Sequence, residues 1–319
     1  MELLIDNKNG SVWDMPVSSI TWKTSRIGKA GTIDADLIIE TPLKSPINNG
    51  DIIRITDGKN KVFYGYIFES SISADSKLSI LAYDQTRYLM SNDTFVFAAT
   101  TATAGIKKIA SDLQLKIGTF EETGYKVPAV VEDDKKGLDV VSKFLDSTLI
   151  ATNRNYVFFD DFGSLMLKNI ENMKIAADDF YIGEESLLFD FNYKKSIDSE
   201  TYNRVKLVQD NKDTGKREVY IAQDSQAIAN WGRLQYFQKV DEKMTSAQIK
   251  DLLDRLIKLR NRETKSLKID CLGHWKVRAG SFVLIYIEKL GIKEYFLVDE
   301  CSHKWNEGIH TMNLDLKVI

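Results

Sequence analysis

The two cysteines and three histidines all lie in the C-terminal part of the sequence, and thiolate and imidazole groups are good ligands of zinc. The residues are Cys271, His274, Cys301, His303 and His310. On a strand, Cys301 and His303 would project from one face because they are two positions apart. The spacing nevertheless matches no common structural zinc pattern, and buried cysteines with surface histidines are the alternative. We expect no metal site, and the sequence does not decide whether Cys271, His274, Cys301 and His303 approach one another.

Adjacent carboxylates are a second group that could perform chemistry, as a general acid and a general base. The pairs are Glu121–Glu122, Asp133–Asp134, Asp160–Asp161, Asp178–Asp179 and Glu184–Glu185. Neighbouring residues on a strand point to opposite faces, and most of these pairs fall in predicted loops or turns. A glycosidase needs two carboxylates that face each other across a cleft, which adjacency in sequence does not supply. We therefore interpret the pairs as solvated turn residues.

A third candidate, Asp161-Phe162-Gly163, matches the metal-binding triplet of protein kinases. No glycine-rich loop, strand lysine or His-Arg-Asp loop accompanies it, so we interpret it as a hairpin turn. The sequence also lacks a Gly-x-Ser-x-Gly elbow, a phosphate-binding Gly-Lys-Ser/Thr loop and a His-Glu-x-x-His pair. We predict no catalytic residue, no cofactor-binding residue and no metal ligand, and hence a protein that is not an enzyme.

Composition sets the class of protein in which these residues must be placed. A chain of 319 residues is longer than one hydrophobic core usually organises, so we expect two or three domains. A formal net charge of -3 gives no general attraction to nucleic acid or to an anionic membrane. No secretory signal is visible at the N-terminus, and the longest apolar run, Phe282 to Ile287, is far short of the roughly 20 residues that span a bilayer. Reduced thiols and synthesis in the cytoplasm are therefore expected.

The N-terminal third alternates apolar and polar residues over short segments, which predicts half-buried strands, for example at Ser19 to Lys23 and Thr32 to Leu37. Three further strands are predicted at Gly50 to Ile55, Val62 to Phe68 and Lys77 to Tyr83. A short turn containing Asp57-Gly58 separates the first two of these. Such a turn joins antiparallel strands, so the segment is predicted to be an antiparallel meander.

The middle of the chain changes to a helical period. Apolar residues at helical spacing follow Thr103, which is placed to cap the first turn of a helix, and a second helix is predicted over Gly137 to Leu149. The strand Tyr156 to Phe159, a turn at Asp160 to Gly163 and the strand Ser164 to Leu167 come next. This order predicts a small α+β domain.

The last third returns to strands, at Tyr202 to Gln209 and Arg217 to Ala222 with a turn-rich loop over 210–215, and contains one strong helix at about 245–262. Thr245 and Gln248 form a capping-box pattern at the start of that helix. Three strands then follow, at Gly280 to Tyr286, Glu294 to Glu300 and His310 to Leu316. They repeat the order and the spacing of the meander from Gly50 to Tyr83.

The predicted fold class is therefore α+β and mostly β, with two similar small β domains and an α+β middle domain between them. The boundaries are 1–95 for the first β domain, 96–195 for the middle domain and 196–319 for the second β domain with its inserted helix.

The segment Leu81-Ala82-Tyr83-Asp84-Gln85-Thr86-Arg87-Tyr88-Leu89, followed by Asp93 to Phe97, resembles the XkdQ/YqbQ-type family of prophage tail proteins. The resemblance continues, in the order of that family, through Ile106 to Ala110, Gly137 to Val140, Tyr156 to Gly163 and Tyr202 to Val205. A physical role follows for the first motif. Asp84 could cap a short helical turn and pair with Arg87, and Tyr88 and Leu89 would fold back onto the sheet.

This family resembles the baseplate hub of contractile phage tails and of tail-like bacteriocins. The resemblance implies a ring of three subunits, each contributing two similar β-barrel domains of the tube type. Such a ring would join the six-fold tail tube to the three-fold central spike, because three chains with two equivalent domains each present a pseudo-six-fold surface. The implied partners are the protein itself, the tail tube protein, the spike and other baseplate proteins, with no membrane, and with DNA only as a passenger in a central channel. The implied location is the baseplate of a virion or tail-like particle, assembled in the bacterial cytoplasm.

Two other functions stay open at this point. Hubs and spikes of some tails carry cell-wall hydrolase domains, although the predicted domains leave no room for an added catalytic module. A carbohydrate-binding protein for host attachment would show exposed Trp and Tyr clustered on one face. The five tryptophans, Trp13, Trp22, Trp231, Trp275 and Trp305, are dispersed in sequence, but folding could gather them.

Overall fold

The structure is a computed structural model, and it describes residues 1–39, 47–73, 77–183, 188–198, 200–210, 215–242 and 244–318. The chain forms two compact units. The first unit comprises Met1–Asp146, Asn155–Asn192 and Leu267–Ile319, and the second comprises Ser147–Arg154 and Tyr193–Ser266. Glu184 and Glu185 and the centre of the predicted loop over 210–215 lie outside the described residues.

The N-terminal strands of the first unit show the alternation of buried and half-exposed residues that the sequence predicts. They are β1 (Glu2–Asp6), β2 (Val12–Asp14), β3 (Val17–Ser25), β4 (Thr32–Ile38), β5 (Ile52–Asp57), β6 (Asn60–Ile72) and β7 (Lys77–Tyr83). A short 3₁₀ helix, Gln85–Met90, follows β7. The predicted meander is confirmed, because β5, β6 and β7 pair antiparallel in that order.

The middle of the chain contains two longer helices and short strands. They are β8 (Asn92–Phe97), β9 (Thr100–Thr101), α1 (Ala102–Asp112), β10 (Ile117–Phe120), β11 (Lys126–Val127), β12 (Val130–Lys136), α2 (Gly137–Thr152), β13 (Tyr156–Asp160) and β14 (Leu165–Asn169). Strands β13 and β14 form the predicted hairpin. The turn between them has positive φ at Phe162 (47°) and Gly163 (81°), as a tight hairpin turn requires.

The cap of α1 corrects one prediction. Thr101, not Thr103, is the N-cap, and its side chain accepts a hydrogen bond from the Ala104 amide. Thr103 is buried in the first turn, and its hydroxyl donates to the Glu121 carbonyl. The sequence predicted the wrong threonine because both are suitable capping residues, and only the packing decides which one faces the interior.

The second unit packs one helix on one face of a three-stranded sheet. After β15 (Tyr181–Gly183) and β16 (Leu188–Ser196), the chain forms β17 (Arg204–Asp210), β18 (Arg217–Gln223), α3 (Ser225–Trp231), β19 (Gln235–Lys239) and α4 (Ser246–Arg260). The sheet order is β18-β17-β19. The capping box of Thr245 and Gln248 at the start of α4 is confirmed. Ile249, Leu253 and Leu256 of α4 are buried in one cluster with Val205 and Leu207 of β17.

The last strands return to the large sheet of the first unit. They are β20 (Thr264–Leu272), β21 (Phe282–Ile287), β22 (Ile292–Asn306) and β23 (Ile309–Lys317). The sheet order from β20 onward is β20-β23-β22-β3-β4-β7-β6-β5-β1-β2, and β21 pairs with the first part of β22. Because β22 pairs along Glu300 to Asn306 with β3, the N-terminal and C-terminal strands form one continuous sheet.

The prediction of a mostly β chain is confirmed, whereas the closure of two separate barrels and the boundaries at residues 95 and 195 stay predictions. The helix predicted at about 245–262 is α4, and it belongs with residues 193–266 to the second compact unit.

The first meander opens with a turn that is stabilised by three hydrogen bonds. The Asp51 side chain accepts a hydrogen bond from the Asn48 amide at 2.9 Å. The Gly50 amide donates to the Ile67 carbonyl at 2.6 Å, and the Ile67 amide donates to the Asp51 carbonyl at 2.9 Å. Gly50 has a φ of 93°, a backbone conformation that favours glycine.

The second meander opens with the same turn, built from different residues. The Ser281 hydroxyl accepts a hydrogen bond from the Arg278 amide at 3.0 Å. The Gly280 amide donates to the Val298 carbonyl at 2.8 Å, the Val298 amide donates to the Ser281 carbonyl at 2.9 Å, and Gly280 has a φ of 94°. The predicted repeat of the two meanders is therefore also a repeat of backbone geometry, since Asp51 and Ser281 perform one role with unrelated side chains.

A bulge lies at the corresponding place of both meanders. The register between β6 and β7 shifts between Ile67 and Glu69, and the register between β22 and β23 shifts between Val298 and Glu300. An extra residue in one strand bends it and increases its twist. In each copy the long middle strand therefore bends just after the residue that is bonded to the opening turn.

The two glycines allow a matched test of this turn. A Cβ at Gly50 would meet no atom within 4 Å, whereas a Cβ at Gly280 would lie 2.7 Å from Val157 Cγ2. We expect Gly50→Ala to lower the free energy of unfolding by about 1–3 kcal/mol through backbone strain alone. Gly280→Ala should lower the free energy of unfolding by about 1–3 kcal/mol more than Gly50→Ala does, because the new Cβ also clashes with Val157. Urea unfolding of both variants measures the difference, and equal losses would contradict the packing assigned to Gly280.

Candidate functional site

Four polar side chains from three distant parts of the sequence meet inside the first unit. Asp84 and Gln85 follow β7, Asp160 ends β13, and Arg278 precedes β21. Asp84, Gln85 and Asp160 are each only 6% exposed. We call these four residues the polar centre. It contains two residues of the first motif of the family resemblance, Asp84 and Gln85, and the first residue of the Asp160–Asp161 pair.

Asp84 is held by three donors. Its side chain caps the 3₁₀ helix Gln85–Met90 by accepting from the Thr86 amide at 2.9 Å, and the Thr86 hydroxyl also donates to it. The other carboxylate oxygen accepts from the Gly31 amide at 3.0 Å, and a Cβ at Gly31 would collide with that carboxylate. The predicted capping role of Asp84 is therefore confirmed, and its contact with Gly31 extends it to the loop before β4.

Gln85 and Asp160 join the end of the first meander to the middle of the chain. The Gln85 side-chain amide donates to the Asp160 carboxylate at 2.6 Å and to the Lys116 carbonyl at 3.2 Å. The Gln85 carbonyl oxygen accepts from the Lys116 amide at 3.0 Å. Asp160 also accepts from the Gly163 amide at 2.7 Å, which fixes the β13–β14 turn. Sequence reasoning gave Gln85 no role, although it stands beside Asp84 in the same motif.

Arg278 supplies the positive charge of the polar centre. Its guanidinium donates to the Asp160 backbone carbonyl at 2.9 Å and lies 4.0 Å from the centre of the Phe159 ring. Burial lowers the pKa of Arg278, and the negative charges of Asp161, Asp160 and Asp84 oppose that shift. Sequence reasoning missed Arg278 because nothing near it in sequence marks a buried arginine.

The predicted ion pair between Asp84 and Arg87 is wrong for the described structure, in which no such pair is found. The Arg87 guanidinium instead lies over the rings of Phe68, at 5.4 Å, and Tyr83, at 5.6 Å. Amide and hydroxyl donors already surround the Asp84 carboxylate, so Arg87 gains more from the aromatic surface. Leu89 is buried and Tyr88 contacts the rings of Tyr66 and Phe68, as predicted.

Burial raises the pKa of Asp84 to about 7, and the negative charge of Asp160 adds to the effect. Burial also raises the pKa of Asp160. Two carboxylates with raised pKa values are found at catalytic sites, but these two bind groups of the protein itself. The adjoining cavity has a volume of about 40 Å³, and its lining includes Thr24, Asp84 and Arg278. It has room for water and not for a polymer substrate.

The remaining carboxylate pairs lie in several settings. Asp161 is in the hairpin turn, and Asp178 and Asp179 lie in another turn. Glu121 accepts hydrogen bonds from the Asn169 amide and the Asn172 side chain. Asp133 and Asp134 lie in a bulge of β12 rather than in a loop.

The cysteine and histidine candidates form a second buried cluster. His303 lies 3.1 Å from Cys301 Sγ through Nε2, and 2.9 Å from His310 Nε2 through Nδ1. The His303 ring stacks on Trp22 and Trp305, with centroid distances of 5.0 and 5.5 Å. The structure therefore brings Cys301, His303 and His310 together, whereas His274 stacks on Phe180.

Hydrogen bonding fixes the tautomers of the two central histidines. His303 Nε2 lies 2.8 Å from the Val277 carbonyl, which can only accept, so Nε2 carries the hydrogen. His303 Nδ1 then accepts, and His310 Nε2 must donate to it. Burial lowers the pKa of His303 to about 3 and that of His310 to about 4. The prediction of surface histidines is wrong for His303, which is 0% exposed.

Both cysteines are neutral thiols. Burial raises the pKa of Cys271 to about 12 and also raises the pKa of Cys301. Among the residues that the structure describes, no group of three or more His, Cys, Asp or Glu side chains is arranged to hold a metal ion. Among the described residues, no helix is both long enough and apolar enough to cross a membrane.

A row of half-buried rings lies along β6, and we call it the aromatic row. Its members, Tyr64, Tyr66, Phe68, Tyr83, Tyr88 and Phe162, contact one another at centroid distances of 5.2–6.1 Å. Most of these contacts are edge to face. The row therefore joins the sheet to the 3₁₀ helix and to the β13–β14 turn.

The comparisons with known proteins agree with the residues of the resemblance. The model of a family described as YQBQ-like matches residues 20–317. The phage-like element PBSX protein XkdQ of Bacillus subtilis is 29% identical over 276 residues, which cover 85% of this chain and 82% of XkdQ.

Two solved structures share the fold of this chain. The 43 kDa tail protein of prophage MuSo2 from Shewanella oneidensis has a TM-score of 0.72 at 14% identity, covering 99% of this chain and 98% of that one. The Escherichia coli c3393 protein, described as a type VI secretion component similar to the T4 tail proteins gp27 and gp5, has a TM-score of 0.61 at 10% identity. The match covers 99% of this chain and 76% of that protein.

The raised pKa of Asp84 predicts a stability that falls with pH. An unfolded aspartate titrates near 3.9, so between about pH 4 and pH 7 the folded chain binds more protons than the unfolded chain. The free energy of unfolding should therefore fall as pH rises through this window, by up to about 4 kcal/mol from this group. Urea unfolding between pH 4 and 7 should show a smaller fall in Asp84→Asn. If the free energy of unfolding fell equally with pH in the wild type and in Asp84→Asn, the raised pKa of Asp84 would be contradicted.

His303 should act in the opposite direction. An unfolded histidine titrates near 6.5, so between about pH 3 and pH 6.5 the unfolded chain binds more protons than the folded chain. Stability from this group is present above pH 6.5 and is lost as pH falls. In His303→Gln, the side-chain amide can still donate to Val277 and accept from His310. We expect this variant to lose less stability than the wild type on acidification, measured by thermal unfolding, and a greater loss would count against the neutral tautomer assigned to His303.

Proposed function

The chain belongs to the YQBQ-like family, and from this premise we propose that it is a structural hub of the baseplate of a contractile phage tail or phage-tail-like particle. In this role it is a homotrimeric ring that joins the six-fold tail tube to the three-fold central spike. Its partners are further copies of itself, the tube protein, the spike and other baseplate proteins. DNA, where the particle carries it, only passes through the channel.

The observation that carries the proposal is the repeated meander. Two copies of one turn, strand order and bulge occur in a single chain, at Gly50 and at Gly280. Three such chains offer six similar meanders while the ring keeps three-fold symmetry, which is what an adaptor between a six-fold and a three-fold partner needs. The fold shared with prophage tail proteins over 99% of the chain supports the same role.

A non-enzymatic protein is part of the proposal. The two carboxylates with raised pKa values, Asp84 and Asp160, are buried and bound to Gly31, Thr86, Gln85 and Gly163. A cell-wall hydrolase would need such groups at an open cleft that admits a glycan strand. Incubation with purified peptidoglycan should release no soluble fragments.

The aromatic row is the feature that could support the alternative function of carbohydrate binding. A sugar stacks on an open ring face, whereas the rings of this row mostly cover one another, and Tyr88 is the most exposed at 40%. Packing of the motif is therefore the better account of the row. A glycan-binding screen separates the two, and we expect no binding.

The hub proposal is tested by native mass measurement of the protein alone and with its tube and spike proteins. We expect three times the chain mass, alone or on mixing, and a complex that contains both partners. A protein that stays monomeric at all concentrations and binds neither partner would overturn the proposal.

A further inference from the structure

The second unit leaves three apolar side chains exposed on one face of its sheet. Helix α4 covers the face that carries Val205 and Leu207. On the opposite face, Val219 is 48%, Ile221 is 44% and Phe237 is 54% exposed. The register places Lys206 directly between Ile221 and Phe237. We call this the open face.

The open face is positively charged around its apolar residues. Four basic side chains project from it, those of Arg204, Lys206, Arg217 and Lys239. Among the described strand residues on that face, Asp210 is the one carboxylate. Asp210 is already paired with Arg217 and, at 2.7 Å, with Lys239. Lys206 has no ion-pair partner among the residues described. The matching surface must therefore be apolar and must bring a carboxylate to Lys206.

The first unit carries a surface with these properties. Strands β8 and β12 form a two-stranded ribbon, and Val96 and Val131 lie directly opposite each other on its outer side. They are 63% and 69% exposed, more than Val219, Ile221 or Phe237 of the open face. We call this the outer ribbon. Phe95, Phe97 and Val130 on the other side pack against the core, which keeps the ribbon in place.

A carboxylate stands next to the apolar pair of the outer ribbon. Asp133 lies on the same side as Val131, and it accepts a hydrogen bond from the Thr94 hydroxyl at 2.5 Å. Asp134 accepts from Asn92, and both aspartates are exposed. Neither aspartate has a cation partner among the described ion pairs. The ribbon thus presents two apolar side chains beside an unpaired anion, and the open face presents apolar side chains on either side of an unpaired cation.

We propose that the outer ribbon of one copy docks on the open face of the next copy, an inference that rests on the proposed homotrimer. Val96 and Val131 would contact Ile221 and Phe237, and Asp133 would pair with Lys206. The two surfaces are different parts of one chain, so the contact is head to tail, and each copy can serve one neighbour with each surface. Contacts of this type produce rings when the rotation closes. An isolated surface pair contributes little, so most of the attraction comes from the apolar residues and the charges set the register.

The experiment uses the full chain with one surface broken at a time. Phe237→Glu breaks the open face, and Val131→Glu breaks the outer ribbon. Both positions are exposed, so the fold should survive, which circular dichroism checks. Each variant alone should lose the trimer and show the mass of one chain. Mixed in equal amounts they should form a dimer, because one retains an intact ribbon and the other retains an intact open face.

A charge exchange tests the register. Asp133→Lys and Lys206→Asp should each weaken association by about tenfold, and the double variant should recover most of it. The matched control is Ile72→Glu. Ile72 is 68% exposed and belongs to neither of the two surfaces, so this variant should stay trimeric.

The outcomes separate this inference from the hub itself. A wild-type trimer that persists in both surface variants would overturn the docking and leave the homotrimer standing. A wild-type chain that is monomeric alone and also with tube and spike would overturn the homotrimer. If trimers form only with these partners, the same variants are compared in that complex. There, unchanged assembly of both variants would again overturn the docking.

Discussion

The fold depends on the polar centre, where three distant parts of the chain meet and ionisable side chains must find hydrogen-bond partners away from water. Asp84 and Asp160 are buried, the Arg278 side chain is only 15% exposed, and an uncompensated buried charge costs several kcal/mol. Each of them is stabilised by groups that only the folded chain supplies, such as the Gly31 amide, the Gln85 side chain and the Phe159 ring. Loss of one partner would leave the others unpaired, so the polar centre links the first meander, the β13–β14 hairpin and the turn before β21 as a unit.

The repeated opening turn shows how the same backbone can be built twice from different residues. Asp51 and Ser281 both accept a hydrogen bond from an amide three residues earlier, and Gly50 and Gly280 share a φ that other residues rarely adopt. The surroundings have diverged, since space beside Gly50 is open while Gly280 contacts Val157. The Gly280 turn begins at Arg278, so the second copy of the repeat also delivers the cation of the polar centre.

Two buried titrating groups act against each other in the weakly acidic range. Asp84, with its raised pKa, stabilises the fold toward low pH, and His303, with its lowered pKa, stabilises it toward neutral pH. The sum is a flatter dependence of stability on pH than either group would give alone. This behaviour comes from burial of both groups, and it requires no ligand or catalytic step.

The sequence by itself determined the local features, because strand alternation, helical period, capping and turn chemistry depend on neighbours a few residues away. The two meanders, the capping box at Thr245, the cap at Asp84 and a hairpin turn at Asp160 to Gly163 were predicted for this reason. The observed turn runs from Asp161 to Ser164, one residue later than predicted. The tertiary structure alone decided which distant groups meet. Arg278 reaches Asp160 rather than Arg87 reaching Asp84, His303 is enclosed by Trp22 and Trp305, and β3 pairs with β22 to make one sheet. Periodicity tells which face of an element is apolar, but it does not name the partner that will cover that face, and partners separated by hundreds of residues are selected only when the whole core packs.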